Sequence, residues 1–461
     1  MNFEINNIDL TDEEKHIDGL KIILDKQLLS TYMRSYLETI TPDNLQMTYI
    51  RYKPGMNWLV NYIFENKEHK INIYTKAYGY DKDIKIQKSV RRKTAVSYDI
   101  PGRLHFKNEG VAICVFPNDN KLKYLRYLEN KESQRVLLRN VFPDKSNLWD
   151  SCIKFLRYKP ERRFVGILSK NSVNLAILRF YTKYDYYKSL KIANLFKSSN
   201  LNIPRQIGNS DDFYVLSVDW IEGKPLSDIL MNDNVYSASK NIYDVGLELS
   251  KLHSSYDLLS NDHPHQNELS SFPDYSSNDD QNILLSLANQ MKLICPNNIE
   301  SILSISNFLK RKFSEISLLS SKIKKTAIIH GDFYAKQVII DNNQNKTSFI
   351  DLDEVCIGDP LVDVGNFIAH LYYMVISKRL TKDKLPLYIH EFICGYKNGI
   401  KKYTFDNLTL YVITGLYLLL PHSFRHCEID WIKRTDEIII LMEKMIHNYD
   451  RCHFEEKNSF P

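Results

Sequence analysis

One short segment of this 461-residue chain holds the side chains whose types and spacing could perform chemistry. It contains Asp332, then Gln337 five residues later and, beyond a polar turn, Asp351 and Asp353. A carboxylate that can accept a proton, followed by an amide oxygen at that spacing and by a further acid, is the set that phosphoryl transfer requires. We therefore interpret Asp332 as a candidate base, and Gln337 and Asp351 as candidate ligands of a cation.

A predicted β-hairpin positions these ligands. Two short apolar runs, 338–340 and 349–350, flank a turn composed of Asp, Asn, Gln and Lys residues, which is typical of a hairpin. A hairpin centred on Gln344 places Gln337 directly opposite Asp351, with Cβ atoms about 4.5–5.5 Å apart. Because Mg²⁺ prefers oxygen ligands, it is the cation that this pattern predicts. The alternative is ordinary turn chemistry without catalysis.

Length and composition indicate a folded protein of two or three domains. Hydrophobic residues make up 43% of the chain and the formal net charge is only +5, which gives no indication of binding to nucleic acid or to a membrane. The seven cysteines form no close pair, and neither a secretion signal nor an apolar run of about 18 residues is visible. These features predict a cytoplasmic protein with reduced thiols. Oligomeric state cannot be predicted from the sequence.

The amino-terminal part of the chain contains an internal repeat. The hexapeptide Tyr-Ile-Arg-Tyr-Lys-Pro at 49–54 is matched by Phe-Leu-Arg-Tyr-Lys-Pro at 155–160, an offset of 106 residues. Each copy is followed by an apolar strand and by a second strand that ends in basic and aromatic residues. Two copies predict a duplicated β-rich lobe, whereas a solenoid would need three or more units. Chance similarity in a chain rich in Tyr and Lys is the alternative.

The last hundred residues have helical periodicity. We predict helices at 364–378, 385–397, 408–420 and 436–446.

Taken together, these motifs resemble the aminoglycoside phosphotransferase and choline kinase group of small-molecule kinases. The closer similarity is to members with an extra amino-terminal lobe, marked here by Lys-Pro-Gly at 53–55. The resemblance covers residues 155–400 and is carried by segments 177–180, 218–226, 249–253, 330–332, 350–353 and 358–363. It implies an α+β, bilobal, protein-kinase-like fold with a small antiparallel β lobe and a large helical lobe, preceded by an additional β-rich lobe.

The resemblance also implies a domain division. Residues 1–150 would form an accessory lobe, a candidate duplicate of the next one. Residues 151–222 would form the ATP-binding lobe. Residues 223–461 would form the helical lobe that carries the catalytic loop and the acceptor site.

ATP and Mg²⁺ are the cofactors that the resemblance implies. Asp332 would orient and deprotonate an acceptor hydroxyl, while Gln337 and Asp351 would hold Mg²⁺ against the phosphates. Asp353 would contact a second ion or cap the local turn. Asp359 and Asp363 would brace the catalytic loop by accepting backbone hydrogen bonds. Gln337 stands where the family usually has Asn.

The implied nucleotide-binding residues are Arg179, Lys183, Lys159, Asp219 and Ile221. Arg179 matches the position that pairs with ATP, and Lys183 is its rival if the register differs. Since no Gly-rich loop is present, Lys159 could meet the phosphates, although a solvated basic turn is the alternative. The helical segment 187–198 contains no Glu to pair with Arg179, and Asp185 is the nearby acid.

Two functions therefore remain open. The first is phosphorylation of a small hydroxylated molecule such as an aminoglycoside, amino alcohol or sugar. The second is a non-catalytic, nucleotide-binding pseudokinase that acts as a regulatory or interaction module. Phe424, Arg425 and Trp431 are candidates for the acceptor site, with core packing as the alternative for the two aromatic residues.

Overall fold

The computed structural model describes residues 12–66, 69–95, 100–197, 199–260, 277–319, 326–401 and 404–458. The chain divides into two compact units. The first consists of residues 1–190, 205–220 and 422–431, and the second of residues 191–204, 221–421 and 432–461.

The first unit contains a five-stranded antiparallel sheet. Its strands are β1 (Leu45–Lys53), β2 (Asn57–Asn66), β3 (His69–Tyr78), β4 (Arg103–Phe106) and β5 (Val111–Val115), in the order β1-β2-β3-β5-β4. Helices α1 (Asp12–Lys15), α2 (Leu20–Leu24) and α3 (Lys26–Met33) precede the sheet, and α4 (Lys82–Val90) follows β3. β-Branched and aromatic residues favour strands in this segment, and the apolar side chains of β5 are fully buried.

A second five-stranded sheet in the same unit has the same topology. Its strands are β6 (Cys152–Lys159), β7 (Arg163–Lys170), β8 (Val173–Tyr181), β9 (Gln206–Ser210) and β10 (Val215–Asp219), in the order β6-β7-β8-β10-β9. Helix α5 (Lys131–Val141) lies between the two sheets in sequence, and α6 (Lys183–Leu195) follows β8 as α4 follows β3. This equivalence agrees with the internal repeat.

The two sheets share one hydrophobic core. Tyr74 and Cys114 of the first sheet are in the same buried cluster as Phe164 and Phe180 of the second, and the apolar face of α5 contributes Leu138. An amphipathic helix buries such a face against neighbouring elements, and here it joins both sheets. The predicted division at residue 150 therefore runs through a continuous core, and its meaning as a domain boundary stays a prediction.

The second unit is mainly helical. Its helices are α7 (Leu226–Asn232), α8 (Val235–Ser260), α9 (Ser277–Ile294), α10 (Ile299–Leu319), α11 (Leu361–Ile376), α12 (Leu385–Gly399) and α13 (Leu408–Leu418); the short α14 (His422–Arg425) belongs to the first unit, and α15 (Trp431–Asn458) lies almost wholly in the second. Helices α8 and α12 cross closely at Gly395, where a Cβ would lie only 2.0 Å from the Tyr243 carbonyl oxygen. A residue with a side chain would not fit at this crossing. No helix among the described residues is both long and apolar enough to span a membrane.

Two small antiparallel sheets carry the segment of chemical interest. The strands β11 (Lys224–Pro225), β13 (Val338–Asp341) and β14 (Lys346–Phe349) form one, in the order β11-β13-β14; β12 (Ala327–Ile329) and β15 (Cys356–Gly358) form the other. With two antiparallel sheets followed by a helical unit, the α+β class predicted from the sequence is confirmed.

Candidate active site

The loop that follows β12 holds Asp332, and a buried carboxylate fixes the backbone of this loop. Asp363, on α11, accepts hydrogen bonds from the backbone N–H groups of His330 (2.6 Å) and Gly331 (2.9 Å). Gly331 has a φ of +80°, and a Cβ there would lie 2.3 Å from the Glu354 carbonyl oxygen, so the position requires glycine. The direction in which the chain enters Asp332 is therefore set on both sides.

Asp363 is itself positioned by two neighbouring helices. The His253 ring on α8 donates from Nε2 to Asp363 Oδ2 (3.1 Å), and its Nδ1 lies 2.7 Å from the hydroxyl of Tyr396 on α12. All three side chains are buried. The predicted brace is confirmed for Asp363. Asp359 accepts a hydrogen bond from the Tyr411 hydroxyl (2.9 Å) and caps the start of α11, and its role in bracing the loop stays a prediction.

The hairpin brings the two candidate cation ligands together. Gln337 is buried, and its Nε2 lies 3.3 Å from Asp351 Oδ2. The predicted register is wrong by one residue, because the Gln337 carbonyl accepts from Ile350 N (2.9 Å) and Ile350, not Asp351, continues the pairing. Asp351 follows β14 with a left-handed backbone (φ 63°), and its carboxylate still reaches the amide.

The donor atoms of this pair suit a hard cation. A carboxylate and an amide oxygen are ligands that Mg²⁺ accepts, and the amide of Gln337 would have to turn so that Oε1 replaces Nε2. Asp353 is half-buried in the 3₁₀ turn Leu352–Glu354 directly after Asp351. Within the described part of the chain, no group of three His, Cys, Asp or Glu side chains could hold a metal alone. A cation bound here would therefore need phosphate oxygens or waters as further ligands.

A cavity of about 170 Å³ opens beside the loop. Its lining residues are Phe313, Gly331, Asp332, Val362, Asn366, His370, Tyr411, Thr414, Gly415, Leu418 and Leu419. Asp332 is the one acid in this set, which includes neither Lys nor Arg. Burial, with a smaller contribution from the nearby Lys336 ammonium, lowers the pKa of His370 to about 3. The His370 ring stacks on Tyr334 (4.2 Å between centroids) and is uncharged at neutral pH.

The candidate nucleotide-binding residues lie mainly in the second five-stranded sheet. Arg179 is half-buried within β8, opposite residues of β7 and β10, and Lys159 is the half-buried last residue of β6. Lys183 is exposed and begins α6, two residues beyond the strand. Asp219 accepts a backbone N–H from the segment before β9 (2.7 Å), and Ile221 is where the chain enters the second unit. Their binding to a nucleotide stays a prediction.

The acid of α6 has a local role. Asp185 accepts a hydrogen bond from the Thr182 hydroxyl (2.7 Å), and its own backbone N–H donates to that hydroxyl (3.3 Å). This arrangement caps the amino-terminal end of α6. Asp185 is the only acid in α6, so the helix offers no second carboxylate for Arg179.

Phe424 and Trp431 do not line the cavity. Both are buried in the first unit, their rings are 5.1 Å apart, and Phe424 also contacts Tyr52 of β1 (6.0 Å). Their burial agrees with core packing, the alternative interpretation of the two aromatic residues, and a role in an acceptor site stays a prediction.

The sequence alone did not reveal three residues that the structure brings forward. His253 is in a segment that carried the family resemblance, but its spacing gave no role. His370 is on the buried side of a helical pattern, where aromatic residues are usual. Glu161 had a usable signal, because it stands 106 residues after Gly55, where the first copy of the repeat has Lys-Pro-Gly.

Residues 175–391 match the family model described as phosphotransferase enzyme family. The match covers slightly less than half of the chain. The match confirms the resemblance and the prediction of a kinase-type phosphotransferase, and it begins within β8, so that the first sheet, β6 and β7 lie outside it.

Several solved structures of small-molecule kinases are similar to this chain. The GDP complex of wild-type aminoglycoside 2'-phosphotransferase-IIIa has 17% identity, with 69% of this chain and 99% of that chain covered and a TM-score of 0.43. Choline kinase from Cryptosporidium parvum has 15% identity, with 72% of this chain and 99% of that chain covered and a TM-score of 0.47. Plasmodium vivax ethanolamine kinase has 14% identity, with 71% of this chain and 94% of that chain covered and a TM-score of 0.44. No curated protein sequence matches the chain.

Proposed function

We propose that this phosphotransferase transfers the γ-phosphoryl group of ATP, with Mg²⁺, to a hydroxyl of a small molecule. The observation that carries the proposal is that Asp332 lies on the wall of a cavity while its loop is held by Asp363. Gln337 and Asp351, which meet at the end of the adjoining hairpin, support a cation site in the same segment.

The proposed step asks little covalent chemistry of the protein. Asp332 accepts the proton of the acceptor hydroxyl while the hydroxyl oxygen forms a bond to the γ-phosphorus. The bond between this phosphorus and the leaving ADP oxygen breaks in the same step. Gln337 and Asp351 would hold Mg²⁺, with Asp353 beside them, and the ion would supply charge neutralisation for the phosphates. Arg179 would pair with the nucleotide. Positioning and charge neutralisation supply most of the rate in such reactions.

The cavity favours a compact acceptor with at most one positive charge. A cavity of about 150 Å³ holds a molecule as large as benzene, and this one is about 170 Å³. Asp332 is its one acid, and His370 is uncharged at neutral pH. An aminoglycoside carries several rings and several ammonium groups, which need more space and more carboxylates. The acceptor that we propose is therefore of the sugar or amino alcohol type.

Asp332→Asn tests the proposal. We expect turnover to fall by about 10²–10⁴-fold, because the variant keeps the shape of the side chain and loses the base. Nucleotide affinity should be retained. Purified protein would be screened for Mg²⁺-dependent ATP consumption with pooled sugars, amino alcohols and aminoglycosides, and the phosphorylated product detected by mass.

Asp383→Asn is a suitable control for that variant. Asp383 is exposed in the 3₁₀ turn before α12 and should be replaceable without loss of activity. Activity that survives in Asp332→Asn would remove Asp332 as the base, and a wild-type protein inactive with every acceptor class would contradict the proposal itself.

A nucleotide-binding pseudokinase is the second candidate. It is favoured by the position of Asp185, the one acid of α6, whose carboxylate caps its own helix. Wild-type protein that binds ATP tightly and never turns it over would support this reading. A cytoplasmic location remains part of both proposals, and the six described cysteines are all free thiols.

A further inference from the structure

The turn between β6 and β7 carries a glutamate in a backbone conformation that favours glycine. Glu161 has a φ of 60° and is buried, whereas Gly55, the equivalent residue between β1 and β2, has a φ of 66°. A non-glycine residue in the left-handed region is strained and persists where other contacts over-determine it. The contacts of the Glu161 side chain must therefore hold it there.

The strands next to this turn have equivalent residues in the two sheets. Residues directly opposite each other on neighbouring antiparallel strands lie on the same face of a sheet, and each sheet has one such row with basic residues at its first and third positions. Lys76 in the first sheet thus occupies the place that Arg179 has in the second. The rows are Arg51, Leu59 and Lys76 on β1 to β3, and Arg157, Val165 and Arg179 on β6 to β8.

The basic residues of the first row bind Glu161. Lys76 Nζ lies 2.7 Å from Glu161 Oε2, and Arg51 Nη2 lies 3.1 Å from the same oxygen. Arg51 Nη1 also donates to the Pro160 carbonyl (3.0 Å), and Asp119 Oδ2 accepts from Glu161 N (2.8 Å). The side chains of Glu161 and Lys76 are only 2% and 10% exposed.

The Glu161 carboxyl is ionised in this environment. Burial would raise the pKa of Glu161, but the Lys76 ammonium and then the Arg51 guanidinium outweigh it and hold the pKa below its usual range. The ionised Glu161 carboxylate thus forms an ion pair with Lys76, the residue of the first sheet that corresponds to Arg179.

We propose that the first sheet is a clamp for the turn 160–162 and not a second nucleotide site. Lys76 and Arg51 bind the Glu161 carboxylate in the place where an equivalent sheet would bind phosphate. This contact fixes the backbone of the turn, and Lys159 and Arg163, which flank it, would bind nucleotide phosphates in place of a Gly-rich loop. The inference rests on the proposed function, because the nucleotide of that reaction is the ligand that Lys159 and Arg163 would bind.

Glu161→Gln in the full chain tests the clamp. The variant keeps the shape of the side chain and removes the charge. We expect hydrogen–deuterium exchange in residues 155–166 to become faster without nucleotide, and the Kd and KM for Mg·ATP to rise by about tenfold while kcat at saturating ATP falls much less. Glu65→Gln is the matched control, since Glu65 pairs with Lys70 on the same sheet but is exposed, and it should change neither quantity.

Two measurements keep the test decisive if a single variant folds poorly. Titration of the wild-type protein should give one nucleotide per chain, and two nucleotides, one of them lost in Lys76→Met, would overturn the proposal. The double variant Lys76→Met with Glu161→Gln should weaken ATP binding by less than the sum of the single effects, because both act through one contact.

The outcomes separate the clamp from the proposed function. Faster exchange in Glu161→Gln together with a wild-type protein that binds no nucleotide would support the clamp and contradict the kinase. Wild-type binding of ATP with unchanged exchange, or an unchanged Kd, in Glu161→Gln would overturn the clamp and leave the kinase standing.

Discussion

Gln337 and Asp351 meet through one hydrogen bond at the end of a hairpin, and this contact carries the case for a cation site. Gln has one methylene more than the Asn that the family resemblance implies. The register of the hairpin and the left-handed backbone of Asp351 together bring the carboxylate to the longer side chain. The Gln337 side chain is therefore long enough to reach the Asp351 carboxylate, and we expect the Mg²⁺ concentration needed for activity to depend on both residues.

Gln337→Ala removes one oxygen ligand. We expect the Mg²⁺ concentration for half-maximal activity to rise by about tenfold or more, with a smaller change in kcat at saturating Mg²⁺. Gln344→Ala, in the exposed turn of the same hairpin, is the control. An unchanged Mg²⁺ requirement, in a variant whose thermal unfolding is also normal, would remove Gln337 from the ligand set.

The sequence predicted which side chains of the hairpin meet, but not the register of its strands. Residue types and spacing identified Gln337 and Asp351 as neighbours, and the strands formed where apolar runs flank a polar turn. The register was wrong by one residue because turn composition does not determine which turn residue lies at the centre of the hairpin. The cavity wall could not be predicted either, since Phe313, His370 and Tyr411 come from three helices that only tertiary packing brings together.

At the scale of elements, α11 determines where the loop that holds Asp332 lies. Asp363 on this helix accepts two backbone N–H groups of the loop and one hydrogen bond from His253 on α8. The predicted helices at 364–378 and 385–397 correspond to α11 and α12, which the apolar periodicity reveals. The link from α8 through His253 has no periodic signal, because a single buried polar residue leaves the pattern unchanged.

Asp363→Asn breaks this link. Hydrogen bonds to a charged acceptor contribute about 1.5–3 kcal/mol each, so we expect the free energy of unfolding to fall by about 2–4 kcal/mol. We also expect kcat to fall about 10²-fold, because the loop is displaced. Urea unfolding and steady-state kinetics measure the two effects.

Asp341→Asn provides the comparison. Asp341 also accepts two backbone N–H groups, from Asn343 (2.9 Å) and Gln344 (3.3 Å), but in the exposed turn of the hairpin. It should lose little stability and no activity. Normal turnover in a destabilised Asp363→Asn protein would show that the loop keeps its position without this carboxylate.

Across the whole molecule, ion pairs differ in what they contribute. Lys70–Glu65 and Lys85–Asp81 lie on the surface, where such pairs contribute about 0–1 kcal/mol. Lys76–Glu161 is buried and joins β3 of the first five-stranded sheet to the β6–β7 turn of the second. Removing one partner of a buried pair typically costs about 3–5 kcal/mol.

Stability should depend on pH through Glu161. The folded-state pKa of Glu161 is lower than its unfolded value of about 4.5, so the carboxylate stabilises the fold above that pH. This contribution is lost as pH falls through the folded-state pKa. The difference in the free energy of unfolding between wild type and Glu161→Gln should thus be largest near neutral pH and shrink below about pH 4.5.

Urea unfolding at several pH values between 7 and 3.5 measures this difference. Glu65→Gln serves as the exposed comparison and should show a small, nearly constant one. A Glu161→Gln difference that does not change over this range would mean that the carboxyl has the same pKa in the folded and unfolded chain.

The charge of the cavity wall has a consequence for turnover. The proposed acceptor would enter a space whose lining residues include one carboxylate and no Lys or Arg. His370, with a pKa of about 3, cannot supply a positive charge there at neutral pH. A phosphate ester in this cavity would be a dianion beside Asp332, and once Asp332 has released the proton that it accepted, the two negative charges repel. A cavity wall of this charge would therefore accept an uncharged or singly positive alcohol more readily than its phosphate ester, and inhibition by accumulated ester should be weak.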